Sequence, residues 1–204
     1  MFAIRQHTLG PPETLSYERV PDPEPAPGQL RIAVRAAGVW SVHPVPEGVE
    51  PAAGVAMIGT GRTALAVLDL AEVRGGDVVL IPSAAGGLGS LFVQAARRAG
   101  AYVVGLAGGP VKVALVERLG ADVAVDYREA DWSGQVTAAL GDRVPSLVLD
   151  GVGGTVGRRC MELLGVAGRL VVVGWSSGEP TRIGAEDVTA KGNRRQDDPG
   201  ALVS

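Results

Sequence analysis

From residue 77 onward, short apolar runs alternate with longer amphipathic segments along the chain. The apolar runs are rich in valine and leucine, a pattern typical of parallel strands that are buried on both faces. Strands are predicted over residues 78–81, 102–105, 123–125, 147–149 and 169–174, with helices over 91–99, 110–119, 132–140 and 155–164. Because crossovers between parallel strands are right-handed, we predict an α/β fold with a doubly wound, Rossmann-like parallel sheet in the order 3-2-1-4-5.

The N-terminal part follows a different pattern. Short strands are predicted over residues 2–6, 15–19 and 30–38, with a stiff loop of four prolines at 21–28. A helix is predicted over 51–70, weakened in its middle by glycines at 54, 59 and 61. We therefore divide the chain into a partial β-rich unit with its connector (1–49), a Rossmann domain with its linking helix (50–192) and a polar tail (193–204).

Composition narrows the class of protein. The chain has 30 glycines and 14 prolines, but 46% hydrophobic residues favour a packed core over disorder. A net charge of -3 and the lack of a basic run argue against a nucleic-acid partner. The single cysteine, Cys160, excludes a disulfide framework and fits a reducing cytosol, so we expect a cytoplasmic protein.

The longest uncharged stretch, residues 78–96, is just long enough to cross a bilayer. Pro82 and the glycines after it divide this stretch into halves of different periodicity. A strand, a turn and a helix are the better interpretation, and the N-terminus lacks the apolar region of a signal peptide, so no membrane partner is expected. His7 and His43 are isolated from other metal-binding residue types, so no metal site is predicted.

The turn after the first predicted sheet strand, residues 83–89, carries the strongest chemical signal. It matches the dinucleotide fingerprint G-x-G-x-x-G with Ala84 at the first glycine position, followed by Gly86 and Gly89. Gly86 would let the backbone approach a pyrophosphate, which the free N–H groups of the following helix would face. The alternative is that these glycines serve tight packing alone.

The second predicted sheet strand bears on the choice of cofactor. A protein that binds NAD usually carries an acidic residue at its end to bond the ribose 2′-hydroxyl, yet residues 100–116 contain none. Gly108, Gly109 and then Lys112 stand there instead, and a lysine at a helix start favours a 2′-phosphate. We therefore predict NADP(H), although Lys112 could equally be a solvated surface charge.

Small residues also follow the fourth and fifth sheet strands, at 150–154 and 174–178. They would leave a slot for a nicotinamide ring, bounded by Val152 and Trp175. Trp175 could equally pack against a neighbour of the sheet. Asp150 is interpreted as fixing a local turn rather than moving protons.

Four segments together resemble the zinc-free quinone oxidoreductases of the medium-chain dehydrogenase/reductase superfamily, with polyketide enoylreductase domains as close kin. They are residues 83–89, 125–128, 150–154 and 168–174, and residues 21–39 look like the start of that family's GroES-like catalytic domain. The resemblance covers residues 1–39 and 42–191. It implies hydride transfer from NADPH to a quinone or an α,β-unsaturated carbonyl.

The resemblance also implies roles for individual residues, with the catalytic residues unknown. Gly86, Gly87 and Leu88 would hold the pyrophosphate, Lys112 and Tyr127 would bracket the 2′-phosphate, and Thr63, Gly174 and Trp175 would lie near the nicotinamide. Together with these, the predicted cofactor-binding residues are Ala85, Gly108 and Val152.

One departure from the family separates two hypotheses about activity. After Val39 the family continues with a long β-rich stretch, whereas here residues 40–49 already match the segment before the linking helix. One hypothesis is an NADPH-dependent quinone or enone reductase, which a homo-oligomer could complete. The alternative is a shortened relative that binds NADP(H) without turnover.

Overall fold

The computed structural model describes residues 2–8, 11–22, 24–27 and 45–187. The predicted strand at 30–38, His43 and the predicted tail at 193–204 lie outside these residues. Strands β1 (Phe2–Gln6) and β2 (Leu15–Arg19) form an antiparallel pair, as predicted. A short 3-10 turn (Pro12–Thr14) precedes β2, and the rings of Phe2 and Tyr17 stack with their centroids 5.2 Å apart.

A long helix precedes the sheet and consists of α1 (Pro51–Ala56), a π-helical turn (Met57–Gly61) and α2 (Arg62–Ala71). The wide π turn lies where glycines weaken the helix, in agreement with the sequence pattern. This 21-residue helix is the one described segment long and apolar enough to cross a membrane, with a mean hydropathy of 1.3. One side of it packs against the sheet domain through Ala64 and Ala71. A single helix of this length and composition is weak evidence for a membrane span.

The main sheet has five parallel strands: β3 (Val78–Pro82), β4 (Tyr102–Ala107), β5 (Val123–Asp126), β6 (Leu147–Asp150) and β7 (Arg169–Val172). Their spatial order is β5-β4-β3-β6-β7, which is 3-2-1-4-5 in chain order and confirms the predicted fold. The connecting helices are α3 (Gly87–Arg98), α4 (Pro110–Arg118), α5 (Trp132–Leu140) and α6 (Gly154–Leu163). The uncharged stretch 78–96 thus forms a strand, a turn and a helix, as predicted.

Two hydrophobic layers cover the two faces of this sheet. Val79 and Ile81 of β3 pack with α2, α3 and α4 on one face, while Leu80 packs with α5 and α6 on the other. All three side chains are fully buried. Burial of successive residues on opposite faces explains why the strand is apolar throughout.

Polar groups at the amino ends of three strands hold the sheet together. Asp77 accepts hydrogen bonds from Ser146 Oγ and from Arg169 Nη2, each at 2.7 Å. Arg169 also donates to the carbonyl oxygens of Ala71 and Glu72 at the end of α2. Burial alone would raise the pKa of the Asp77 carboxyl, but these bonds and one from the Arg74 N–H outweigh it and leave that pKa below its ordinary value.

Two predicted boundaries are corrected by the structure. Helix α3 begins at Gly87 rather than at residue 91, because the second half of the glycine turn forms its first turn. Strand β7 ends at Val172 rather than at residue 174, because the chain beyond it follows the loop after β6. There the N–H groups of Ser176 and Ser177 donate to the carbonyl oxygens of Gly151 and Val152.

Candidate functional site

The turn at residues 83–89 lies at the carboxyl end of β3, where the strand order reverses. Ser83 has a left-handed backbone with φ of 57°, and its carbonyl oxygen accepts the Gly86 N–H at 2.9 Å. Helix α3 follows with Gly86 as its N-cap and no side-chain cap. The N–H groups of the first helical turn, from Gly87 onward, therefore have no acceptor inside the helix and face outward, where they can bind an anion.

The glycines of this turn have separate roles. A Cβ atom at Gly89 would collide with the Ser83 carbonyl oxygen, so this glycine serves the close packing of α3 on the turn. A Cβ atom at Gly86 would lie 3.1 Å from the same oxygen, and one at Gly87 would lie 3.3 Å from Thr60 Cγ2. All three glycines line the larger cavity, and packing alone is enough to explain Gly89.

Two cavities adjoin at this turn, at the carboxyl ends of the strands, and are together called the groove. The larger, about 170 Å³, extends toward β6 and β7 and is lined by Pro82, Ser83, Gly86, Gly87, Leu88, Gly89, Phe92, Leu149, Gly151, Val173 and Ser176. The smaller, about 70 Å³, extends toward β4 and β5 and is lined by Ser83, Ala85, Gly86, Ala107, Gly108, Lys112 and Tyr127. Both include Ser83 and Gly86, so one elongated ligand can span them.

The small cavity brings five predicted residues together around the start of α4, and Gly86 is one of them. Gly108 and Lys112 line it with Ala85, and Tyr127 closes its side toward β5, its hydroxyl 3.4 Å from where a Cβ at Gly108 would lie. Lys112 is exposed and is the third residue of α4. This end of the groove therefore combines a cation, a phenol and the positive end of a helix.

Asp126 and Arg128 adjoin this cavity and were not assigned a role from the sequence. Asp126 Oδ1 accepts the Arg128 Nε–H at 3.2 Å and Oδ2 accepts from Nη2 at 3.0 Å. The Arg128 guanidinium holds the pKa of the Asp126 carboxyl below its ordinary value. The Asp-x-Arg spacing is the signal that could have identified this pair.

Asp150 is fully buried at the other end of the groove and fixes the turn after β6, as predicted. Its Oδ1 accepts the N–H groups of Val152 at 2.9 Å and of Gly153 at 3.0 Å. Its Oδ2 accepts the hydroxyl of the buried Thr181. The two carboxylate oxygens thus hold two backbone N–H groups and one side-chain hydroxyl.

The walls of the larger cavity near Asp150 are Gly151, Val173 and Ser176. The predicted residues Val152, Gly174 and Trp175 are their neighbours in sequence and do not line that cavity. Val152 is 7% exposed and Trp175 is 57% exposed. Their contact with a nicotinamide ring stays a prediction.

Thr63 does not face the groove. It is exposed on α2, and its hydroxyl donates to the Gly59 carbonyl oxygen at 3.1 Å. The threonine that lies against the glycine turn is Thr60, in the π turn. The position of Thr60 between Gly59 and Gly61 is the sequence signal that could have identified this threonine.

A further cavity, about 690 Å³, lies away from the groove between α6 and residues 179–186. Two of its three arginines are already paired, Arg158 with Glu162 and Asp187 and Arg159 with Glu162, and Arg182 is the third. Within residues 2–8, 11–22, 24–27 and 45–187, no three His, Cys, Asp or Glu side chains come together where they could hold a metal ion. Neither feature competes with the groove as a candidate site.

A parallel sheet in this order, with a glycine turn and bare helix N-terminus at its switch point, defines a Rossmann-type dinucleotide-binding domain. The family model described as "Zinc-binding dehydrogenase" matches residues 87–196, more than half of the chain. The chain therefore belongs to this family of medium-chain dehydrogenases/reductases, and its similarities place it with the zinc-free quinone oxidoreductase type.

Solved structures and a curated relative support this placement. A mycobacterial protein in complex with NADPH superposes with a TM-score of 0.66 at 32% identity, over 72% of this chain and 46% of that one. A quinone oxidoreductase of Pseudomonas syringae pv. Tomato DC3000 does so with a TM-score of 0.66 at 28% identity, over the same shares. Alcohol dehydrogenase notN of Aspergillus sp. (strain MF297-2) is 33% identical over 69% of this chain and 41% of its own length. The chain thus spans less than half of each of these three proteins.

Proposed function

We propose that this chain binds NADP(H) in the groove and acts as an oxidoreductase of the quinone oxidoreductase type. The observation that carries the proposal is the pair of adjoining cavities that runs from Lys112, past the bare N-terminus of α3, to the walls after β6 and β7. Its order of features matches a dinucleotide: a cationic end for a phosphate, amides for a pyrophosphate and an apolar end for a ring.

The end of β4 supports NADP(H) over NAD(H). Its last residue is Ala107, and Gly108 and Gly109 follow, so no carboxylate of this loop meets the adenosine ribose. A carboxylate there would bond the 2′-hydroxyl of NAD and repel the 2′-phosphate of NADP. The relative of known structure in complex with NADPH is consistent with this choice.

When bound, the nicotinamide supplies a hydride to an acceptor, for which we propose a quinone or an α,β-unsaturated carbonyl. The residues of this chain would bind the cofactor and orient it. The N–H groups of Gly87 and Leu88 would hold the pyrophosphate, and Asp150 would fix the loop that carries Gly151. No carboxylate, imidazole, thiol, amine or phenol is among the described residues that line the larger cavity. The described walls therefore favour a reaction that needs positioning rather than a protein-borne acid.

A second candidate is NADP(H) binding without turnover. The described walls of the larger cavity all come from the sheet domain, and the chain spans 46% of each of the two solved relatives above. A ring bound there would have protein on one side within the described residues. Positioning and exclusion of water, which supply much of the rate in such enzymes, would then be weak.

Two measurements on the whole chain separate these functions. NADPH and NADH are titrated by fluorescence, and NADPH oxidation is then followed with a panel of benzoquinones, naphthoquinones and enones. Acceptor-dependent oxidation above a protein-free blank supports the reductase. Saturable NADPH binding with no oxidation supports the binding protein, and the absence of NADPH binding contradicts both.

A further inference from the structure

Positive charge is concentrated around the first turn of α4. That turn has no acidic residue, and Lys112 is its third residue. The Arg128 guanidinium lies over Gly109, the N-cap of the helix, with Cζ 3.0 Å from where a Cβ at Gly109 would lie. A helix N-terminus is itself positive, and the Asp126 carboxylate beside it balances only one of the two cations, so this helix start favours a further anion.

The guanidinium of Arg128 is held in one orientation. It bonds Asp126 through its Nε and Nη2 edge, and the Arg128 backbone N–H donates to Asp126 Oδ1 at 3.0 Å. The Asp126 carboxylate is 15% exposed and also accepts the Gly109 N–H. Nη1 takes no part in these bonds, so its N–H groups are directed elsewhere.

The two glycines before α4 make this arrangement possible. Gly109 has φ of 97°, which favours glycine, and a Cβ there would displace the guanidinium. A Cβ at Gly108 would lie 3.5 Å from Arg128 Cδ, and Gly108 lines the small cavity. Arg128 does not itself line the cavity of Lys112 and Tyr127, but its side chain passes against Gly108, which does, and its guanidinium lies over the next residue, Gly109.

We propose that Arg128, aimed by Asp126, is a further cation for the cofactor's 2′-phosphate and also masks the Asp126 carboxylate from it. This inference rests on the proposed function. Arg128 contributes a positive charge and simultaneously offsets a negative one that is fixed against the same helix start. An arginine suits this task because its planar fork binds a carboxylate on one edge and offers another edge to a phosphate.

The test compares ligands with and without the 2′-phosphate: NADPH against NADH, and 2′,5′-ADP against 5′-AMP, by titration calorimetry. In Arg128→Ala we expect the affinity for NADPH and 2′,5′-ADP to fall roughly thirty-fold, from a lost charge-assisted contact and an unmasked carboxylate. Affinities for NADH and 5′-AMP should stay within about two-fold. Adding Asp126→Asn to Arg128→Ala should raise the affinity for NADPH and 2′,5′-ADP again by roughly three-fold.

Arg118→Ala is the matched control, since it removes the same charge from the far end of α4. It should leave all four affinities unchanged. Arg128→Lys keeps the charge without the planar fork, so its affinity for NADPH should fall only several-fold. This variant tests the proposal if the alanine variant folds poorly.

An Arg128→Ala protein that binds NADPH like the wild type overturns the inference. So does an equal loss for NADPH and NADH, which would indicate a structural role for the pair. A double variant that binds NADPH no more tightly than Arg128→Ala overturns the proposal that Arg128 masks the Asp126 carboxylate. Wild-type protein that does not bind NADPH overturns the proposed function itself, and that result appears before any variant is made.

Discussion

Substitution of Lys112 by alanine measures how much the contact with the cofactor's 2′-phosphate contributes to NADPH affinity, apart from the rest of the groove. Lys112 is exposed at the third position of α4 and lines the small cavity. Loss of one charge-assisted contact to a phosphate costs about 1–2 kcal/mol, so NADPH should bind about ten-fold more weakly. A lysine beside a helix N-terminus is unfavourable by about 0.3–1 kcal/mol, so the free protein should be equally stable or slightly more stable.

The two expectations are measured on one preparation. Titration calorimetry gives the affinities for NADPH and NADH, and urea denaturation gives the free energy of unfolding without cofactor. Because the contact is solvent-exposed, the difference between wild type and variant should shrink as salt is raised. Equal losses of NADPH and NADH affinity would refute the assignment of Lys112 to the 2′-phosphate. A loss of stability would refute the argument from the helix N-terminus.

Three further predictions concern the scaffold. Asp77→Ala should lower the free energy of unfolding by about 3 kcal/mol near neutral pH, because it strands the donors of Ser146 and Arg169. Since the folded-state pKa of Asp77 is lowered, this contribution is full above about pH 4 and is lost as pH falls through that pKa, which urea denaturation across a pH series would reveal; a constant difference would contradict it. Gly89→Ala should cost about 2 kcal/mol by collision with the turn and should also weaken NADPH binding, and an unchanged melting temperature would refute the collision. Burial raises the pKa of the Cys160 thiol, so a thiol reagent should label it only after unfolding, and rapid labelling of native protein would contradict its burial.

The sheet could be predicted from the sequence because its strands and helices obey local rules. Each buried strand is apolar on both faces, and the helices end at residues such as Gly100 and Gly120, both of which have positive φ. Right-handed crossovers then fix the strand order. The end of β7 could not be predicted, because residues 173–177 are apolar or small and leave the sheet only through hydrogen bonds to the loop after β6.

The candidate site could be predicted from the sequence only in part. The glycine turn and Lys112 stand next to a strand or helix boundary, so their place in the groove follows from local sequence. Thr60 and Arg128 were missed, because their local signals, the flanking glycines and the Asp-x-Arg spacing, do not fix where the two side chains lie. Thr60 depends on the π turn, which shifts the register of the helix face, and Arg128 depends on the ion pair that turns its side chain over Gly109.

Binding and turnover can be separated in this chain because the two ends of the groove differ in construction. The small cavity takes its described walls from the turn after β3, the end of β4 with the start of α4, and Tyr127 after β5, and it has a cation of its own. The larger cavity has glycine, valine and serine near its ring end and no titratable side chain among its described walls. Changes at the first end should therefore raise the KM for NADPH and leave kcat unaltered at saturation, because they remove binding that is the same in ground and transition states. A lower kcat in Lys112→Ala at saturating NADPH would mean that the 2′-phosphate contact also sets the position of the ring at the other end.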